Sequence, residues 1–132
     1  MKLLIKNGRV VHPVTSAVIL QDILIEDGKI VLIERGLEAE ADQVIDASGL
    51  AVSPGLVDMH VHLRDPGLTY KEDIITGSNA AARGGITAMA CMANTSPTVD
   101  CPEQVQYVLD RANQGSGVQI FPIAALSKGL RG

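Results

Sequence analysis

Apolar residues in the first part of the chain come in short β-branched runs separated by turn dipeptides. Asn-Gly and Asp-Gly supply the positive φ angles of a tight hairpin turn, so runs on both sides of such a dipeptide indicate a β-hairpin. Two hairpins are predicted in this way: residues 3–6 with 9–11 around Asn7-Gly8, and residues 22–26 with 29–33 around Asp27-Gly28.

A third pairing is predicted between residues 43–46 and 50–52, with its turn at Ser48-Gly49. Strands of this length and spacing are typical of a small antiparallel sheet or half of a sandwich. We therefore interpret residues 1–52 as a partial β-sandwich segment. A segment of roughly 50 residues buries too little surface to be comfortably stable alone, so we expect it to pack on something else.

After Pro54-Gly55 the pattern changes to alternating strands and helices. The first strand is almost continuously apolar, as in a strand covered on both faces. Thr69 and Glu72 have the spacing of a capping box that opens a helix ending at Gly84-Gly85, and Asp100 with Pro102 begins a second helix. The predicted strands are residues 56–63, 86–92 and 118–126, and the helices are residues 69–83 and 100–113.

This β-α-β-α-β order implies right-handed crossovers and a parallel sheet. It is either an open doubly wound sheet or the beginning of a (β/α)8 barrel. A whole barrel needs about 250 residues, so residues 53–132 would supply about a third of one.

Composition and charge exclude several classes of protein. The chain has 11 Lys plus Arg against 15 Asp plus Glu and a net charge of -4, without the basic clusters that nucleic-acid binding requires. No apolar run approaches the roughly 20 residues of a membrane span, and the N-terminus lacks a signal-peptide pattern. Two cysteines, Cys91 and Cys101, form neither a disulfide framework nor a metal motif. We therefore expect a cytoplasmic protein that binds neither nucleic acid nor membrane.

Two of the three histidines, His60 and His62, are one residue apart at the end of the predicted strand. Side chains alternate along a strand, so both rings point to the same side and can converge on one metal ion. Arg64 has the same parity, and its guanidinium would face whatever the metal binds; its planar fork suits a carboxylate. An isolated H-x-H is more often coincidence than a ligand pair, but the strand-end position and the adjoining Pro66-Gly67 turn favour a metal site.

Other polar residues admit simpler interpretations. Asp58 either supports a ligand histidine or is a buried structural residue. His12 is interpreted as solvent-facing, Cys91 as a buried thiol and Cys101 as a mildly reactive surface thiol.

The stretch from Pro54 to Gly67 resembles the H-x-H signature of the amidohydrolase superfamily, and its form DMHVHLRDPG is similar to the bacterial long-chain dihydroorotase family. The resemblance covers the whole chain, including Lys71-Glu72-Asp73 and the segments 81–87 and 92–95. It implies an α/β fold, the N-terminal part of a (β/α)8 TIM-like barrel (residues 53–132, incomplete), preceded by a small antiparallel β segment.

The same resemblance implies specific roles for four residues. His60 and His62 would bind the more buried ion of a binuclear Zn2+ site, and Arg64 and Asn94 would hold the carboxylate of dihydroorotate. The bridging Asp, two further His ligands and the acid–base Asp of the family would all fall beyond Gly132. No catalytic acid–base residue is therefore expected within residues 1–132, and we expect a truncated chain that is inactive alone.

The implied reaction is the zinc-dependent interconversion of dihydroorotate and N-carbamoyl-L-aspartate in pyrimidine biosynthesis. A hydantoinase, dihydropyrimidinase or allantoinase would share the H-x-H, although Arg64 favours a substrate with a free carboxylate. A non-catalytic scaffold for aspartate transcarbamoylase is the third alternative. Exposed edges of an incomplete barrel would promote association, and a homo-oligomer is expected.

Overall fold

The computed structural model describes residues 1–132, which divide into an N-terminal unit, Met1–Pro54, and a C-terminal unit, Gly55–Gly132. Neither of the two α-helices has the length and apolar character that a membrane span requires. The two units are described separately.

The N-terminal unit is one five-stranded mixed sheet built around its first strand. β1 pairs antiparallel with β2, and β3 pairs with the other edge of β2. Leu4, Leu24 and Leu37 form the buried apolar cluster of this unit. The strands are β1 (Lys2–His12), β2 (Ala17–Glu26), β3 (Lys29–Glu34), β4 (Gln43–Asp46) and β5 (Ala51–Val52).

The hairpin predicted at Asp27-Gly28 is confirmed, whereas the turn predicted at Asn7-Gly8 is wrong. β1 continues through the dipeptide, and its register with β2 shifts between Ile5 and Gly8. The positive φ of Asn7, 61°, therefore shapes a bulge. The Asn7 N–H donates to the buried Asp22 carboxylate at 2.7 Å, which satisfies a backbone group that the bulge removes from the ladder.

The pairing predicted between residues 43–46 and 50–52 is also wrong, so this segment is not purely antiparallel. β4 and β5 both run parallel to β1, one after the other along the same edge. The turn between them does form, because the Asp46 carboxylate accepts hydrogen bonds from the Ser48 N–H and hydroxyl. This turn moves the chain further along the same edge of β1. Both short strands can pair there because β1 is 11 residues long.

The C-terminal unit has the predicted β-α-β-α-β order, with three parallel strands in the order β6-β7-β8. Its elements are β6 (Leu56–Val61), α1 (Ile74–Arg83), β7 (Ile86–Cys91), α2 (Pro102–Asn113), β8 (Gln119–Pro122) and a 3-10 turn (Lys128–Leu130). The helices bury Ile74 and Val108 against Met89 of the central strand. This core is aliphatic, as a sequence with 2% aromatic residues requires.

β6 is an edge strand of this sheet, and the prediction that both of its faces are covered is not met. Its side chains at Leu56, Val57 and Met59 are 58%, 64% and 76% exposed. The continuous apolar run therefore leaves a hydrophobic surface uncovered in this unit.

The first helix begins later than the Thr69 and Glu72 pattern predicts. Residues 68–71 form turns, and the N-cap is Asp73, whose carboxylate accepts the Ile75 and Thr76 N–H groups at 2.8 and 2.9 Å. These hydrogen bonds, the Thr76 N–H first, lower the pKa of Asp73. The helix ends at Arg83, before Gly84-Gly85, as predicted.

The second helix begins at Pro102 with Cys101 as its N-cap, and no side chain caps it. Asp100 does not cap this helix. Its carboxylate accepts the Gly129 N–H at 2.7 Å and lies 3.3 Å from Lys128 Nζ, which ties the 3-10 turn to the start of α2.

Candidate functional site

The imidazole rings of His60 and His62 are neighbours at the carboxyl end of β6. Their centroids are 5.3 Å apart and the ring planes meet at 67°. His60 is within the strand, where its N–H donates to the Asp58 carboxylate at 3.0 Å, and His62 is one residue beyond it. Both residues are exposed. Asp58 therefore supports the backbone of His60, and no hydrogen bond joins it to either ring.

Asn94 contacts the second of these rings from the loop after β7. Its Oδ1 is 2.8 Å from Nδ1 of His62. With the amide oxygen as acceptor, the imidazole proton lies on Nδ1 and the lone pair on Nε2, the arrangement in which a neutral histidine binds a metal ion. The Asn94 Nδ2 group makes no hydrogen bond in the chain and remains available as a donor.

Arg64 is half-buried, and its guanidinium makes no hydrogen bond or ion pair. The alternation argument does not extend to this residue, because β6 ends at Val61 and the φ of Arg64 is 62°, in the left-handed region. Partial burial of a cation without an ionic partner is unfavourable because the cation loses hydration. A bound anion would compensate this loss through charge-assisted hydrogen bonds.

Two contacts join the loop that carries Arg64 to the loop that carries Asn94. The Ser96 N–H donates to the Pro66 carbonyl at 3.1 Å. Gly67, with φ 85°, passes so close to the Ser96 carbonyl that a β-carbon would overlap its oxygen. Together with the His62–Asn94 hydrogen bond, these contacts place His62, Arg64 and Asn94 on adjoining segments. His60 joins this group through the contact of its ring with that of His62.

A buried carboxylate next to Arg64 was missed by the sequence analysis. The Asp65 side chain is 1% exposed; its Oδ1 accepts a hydrogen bond of 2.9 Å from the Tyr107 hydroxyl. Its Oδ2 lies 3.5 Å from Arg111 Nε, within ion-pair range but without hydrogen-bond geometry. The hydrogen bond to Asp65 raises the pKa of Tyr107. The signal in the sequence was the four-residue spacing of Tyr107 and Arg111 on one helix face.

The remaining titratable candidates lie outside this group. Cys91 is buried in β7, and burial raises the pKa of its thiol to about 11, so it stays protonated at neutral pH. Cys101 is half-buried at the start of α2. In the N-terminal unit, His12 is half-buried and its Nε2 is 2.7 Å from Gln21 Oε1, which corrects the expectation of a solvent-facing ring.

The donor set fits part of a zinc site. Zinc is commonly bound by four ligands, and catalytic sites use three protein ligands. The adjacent imidazoles of His60 and His62 can provide two, while no group of three or more His, Cys, Asp or Glu side chains in the chain is placed to hold a metal ion.

Comparison with known proteins agrees with these observations. Residues 49–131 match the sequence profile of the family described as dihydro-orotase-like. The chain is 52% identical over 133 residues to a dihydroorotase of Citrifermentans bemidjiense and 50% identical to one of Geobacter sulfurreducens. In both comparisons 100% of this chain is aligned with 31% of the relative, so the chain spans about a third of the length of these relatives.

Similar solved structures include hydantoinases and dihydropyrimidinases. The L-hydantoinase (dihydropyrimidinase) from Arthrobacter aurescens superposes with a TM-score of 0.84 and 32% identity, over 92% of this chain and 27% of that one. The dihydropyrimidinase from Brevibacillus agri gives a TM-score of 0.79 and 32% identity, over 94% and 27%. From the profile match over most of its length and the close relatives, the chain belongs to the dihydroorotase-like family.

Proposed function

We propose that this chain is the N-terminal part of a zinc-dependent dihydroorotase, which interconverts L-dihydroorotate and N-carbamoyl-L-aspartate in cytoplasmic pyrimidine biosynthesis. The observation that carries the proposal is the His62–Asn94 hydrogen bond, with the half-buried and unpaired Arg64 two residues after His62 on a loop that contacts the Asn94 loop. Residues 53–132 would form the first units of a (β/α)8 barrel, and residues 1–52 part of a β-sandwich.

His60 and His62 would hold the metal ion. Zinc, when bound, polarises an amide carbonyl and lowers the pKa of a bound water to about 7. The contact with Asn94 keeps the proton of His62 on Nδ1 and so leaves Nε2 as the ligand atom. The chain's own contribution at this point is thus to place two imidazoles side by side and to fix the tautomer of His62.

Arg64 and Asn94 would bind the substrate carboxylate. The guanidinium offers a fork of donors for two carboxylate oxygens, and the free Nδ2 of Asn94 offers a further donor. An anion held at this point is oriented with respect to the neighbouring imidazoles, because Asn94 contacts His62 directly. Orientation of this kind lowers the barrier to ring closure by making the reacting groups neighbours.

A hydantoinase or dihydropyrimidinase is the second candidate, favoured by the similarity to solved hydantoinases. The two candidates differ in what Arg64 contacts, because 5,6-dihydrouracil lacks the carboxylate that dihydroorotate carries. Association with further copies of the chain or with aspartate transcarbamoylase is part of the proposal.

Ligand titration of the chain in the presence of zinc tests the proposal. We expect L-dihydroorotate to bind more tightly than 5,6-dihydrouracil, and R64M to remove that preference. A charge-assisted hydrogen bond contributes about 1.5–3 kcal/mol, so the affinity for L-dihydroorotate should fall roughly 10- to 100-fold. R83M is the matched control, because Arg83 is exposed at the end of α1 and makes no ion pair. Equal binding of the two compounds, or an R64M variant that keeps the preference, would contradict the proposal.

The 132-residue chain itself should bind without turnover, because two imidazoles do not complete a zinc site. A coupled spectrophotometric assay of dihydroorotate hydrolysis measures this directly. Zinc-dependent turnover that is lost in H60A would show that the chain assembles a competent site.

A further inference from the structure

We propose that Asp65 is a positioning residue: its buried carboxylate, held by Tyr107 and Arg111 of α2, fixes the loop conformation that presents Arg64 to an anionic ligand. The inference rests on the proposed function, since it assigns Arg64 the carboxylate of the substrate. It adds residues of α2 to a site otherwise formed by β6, β7 and the loops that follow them.

The first step is the burial of Asp65. A carboxylate whose side chain is 1% exposed is unfavourable in a protein interior unless charged or polar partners compensate it. Both partners come from α2, far along the chain, and both are themselves partly exposed. The side chain therefore ties an irregular loop to a regular helix at one point.

The second step is that the two oxygens of the Asp65 carboxylate differ in their contacts with α2. Oδ1 accepts the Tyr107 hydroxyl at 2.9 Å, whereas Oδ2 only approaches Arg111 Nε at 3.5 Å and has no hydrogen bond. The Tyr107 hydroxyl is thus the one directional contact to the carboxylate. Arg111 is in turn held by Gln114, whose Oε1 accepts a 2.9 Å hydrogen bond from Nη1.

The third step concerns the other end of the loop. The positive charge of Arg111 contributes to lowering the pKa of Asp73, the N-cap of α1. One guanidinium on α2 is therefore close enough to influence two carboxylates, one directly after Arg64 and one at the start of the next helix. The segment between them is anchored at one end by the Tyr107–Asp65 hydrogen bond and at the other by the cap that Asp73 forms on α1.

The fourth step is the backbone of Arg64. Its φ of 62° is a left-handed conformation, unfavourable for a residue with a β-carbon. Such a conformation persists only where surrounding contacts impose it. The Leu68 N–H donates to the Arg64 carbonyl at 2.9 Å, and the carboxylate of the next residue, Asp65, accepts the Tyr107 hydroxyl of α2. Loss of the second contact should let Arg64 relax and move its guanidinium.

None of the three residues needs to touch the substrate, so the effect should appear in ligand affinity and in the conformation of Arg64. The decisive variant is Y107F, which removes one hydroxyl and keeps the ring. Y70F is the matched control, because Tyr70 is 79% exposed and its hydroxyl makes no hydrogen bond. R111K, with R83K as its control, tests the second contact with the positive charge retained.

Two measurements on the chain in the presence of zinc are compared across these variants. The first is the affinity for L-dihydroorotate; because the Tyr107–Asp65 hydrogen bond acts on the ligand only through Arg64, we expect a change of roughly 2- to 10-fold, smaller than that of R64M. The second is the backbone chemical shift and amide coupling constant of Arg64, which report its left-handed φ without any ligand. We expect Y107F to weaken L-dihydroorotate binding by this factor, to leave 5,6-dihydrouracil binding unchanged and to shift the Arg64 signals; Y70F should do none of these.

The outcomes separate the positioning role from the proposed function. If R64M loses affinity for L-dihydroorotate while Y107F and R111K match the wild type in affinity and in Arg64 signals, the positioning role is refuted and the proposed function stands. If R64M binds L-dihydroorotate as well as the wild type, the proposed function fails. Lower stability of Y107F with unchanged Arg64 signals and affinity would show that the cluster is only structural and would overturn the inference.

Discussion

Gly67 lies against the backbone carbonyl of Ser96, so a methyl group added there tests how firmly the two site loops are joined. G67A places a β-carbon at φ 85° and into the Ser96 oxygen, which belongs to backbone and cannot rotate away. The left-handed conformation costs a residue with a β-carbon about 1–2 kcal/mol. Forcing an additional carbon into a packed site costs typically about 1–3 kcal/mol more.

The matched control is G85A in the same unit. Gly85 has nearly the same φ, 81°, but nothing lies within 4 Å of its added β-carbon. The backbone cost is therefore common to both variants, and the difference between them isolates the contact with Ser96. We expect G85A to lower the free energy of unfolding by about 1–2 kcal/mol and G67A by about 2–5 kcal/mol.

Urea unfolding followed by circular dichroism measures both values. The 15N chemical shifts of the His62 ring provide a second observation, because separation of the loops should weaken the Nδ1 contact with Asn94 in G67A alone. If G67A is no less stable than G85A and keeps the wild-type ring shifts, the close approach at Ser96 does not hold the loops together.

Three further predictions concern the interior of each unit. Burial raises the pKa of Asp22, but the Asn7 and Leu37 N–H groups, which it accepts at 2.7 and 2.8 Å, bring the net pKa below its ordinary value. A lowered pKa in the folded state adds stability above the unfolded-state pKa, and this stability is lost as the pH falls through the folded-state pKa, so stability should drop below about pH 4. In urea unfolding, D22N should be less stable at pH 7 and its stability should depend less on acid pH. Ile74 is 0% exposed, so I74A should lose about 2–5 kcal/mol and I74V about 0.5–1.5 kcal/mol, and equal thermal-unfolding values for the two would contradict that packing. The Cys91 thiol, with its pKa of about 11, should react with a thiol reagent much more slowly than Cys101, and C91S should leave the fast phase of labelling intact.

Local patterns predicted the elements of the C-terminal unit well because each depends on nearby residues. Gly84-Gly85 ends α1 where the sequence places its end, and Pro102 opens α2. The neighbouring rings of His60 and His62 likewise follow from strand geometry over three residues. Prediction was weaker where residues distant in the sequence decide which of two local structures forms.

Asn7-Gly8 illustrates that limit in the N-terminal unit. The dipeptide supplies a positive φ in a hairpin turn or in a bulge, and the outcome depends on Asp22, which accepts the Asn7 N–H from the neighbouring strand. In the site, Asp65 was overlooked for the same reason, because its partner Tyr107 lies 42 positions away. The left-handed backbone of Arg64 could not be read from alternation, which applies only to extended residues.

The position of β1 at the centre of its sheet affects how the chain can fold during synthesis. Residues 2–12 can pair with β2 as soon as that strand is made, but Leu3 must wait for Gln43, and Arg9 for Ala51. At a translation rate of about 5–20 residues per second, one edge of β1 stays without its parallel partners for a time on the order of seconds. Its open backbone groups are then a template for a strand of another nascent chain, and ribosome spacing on the message would influence the yield of correctly folded protein.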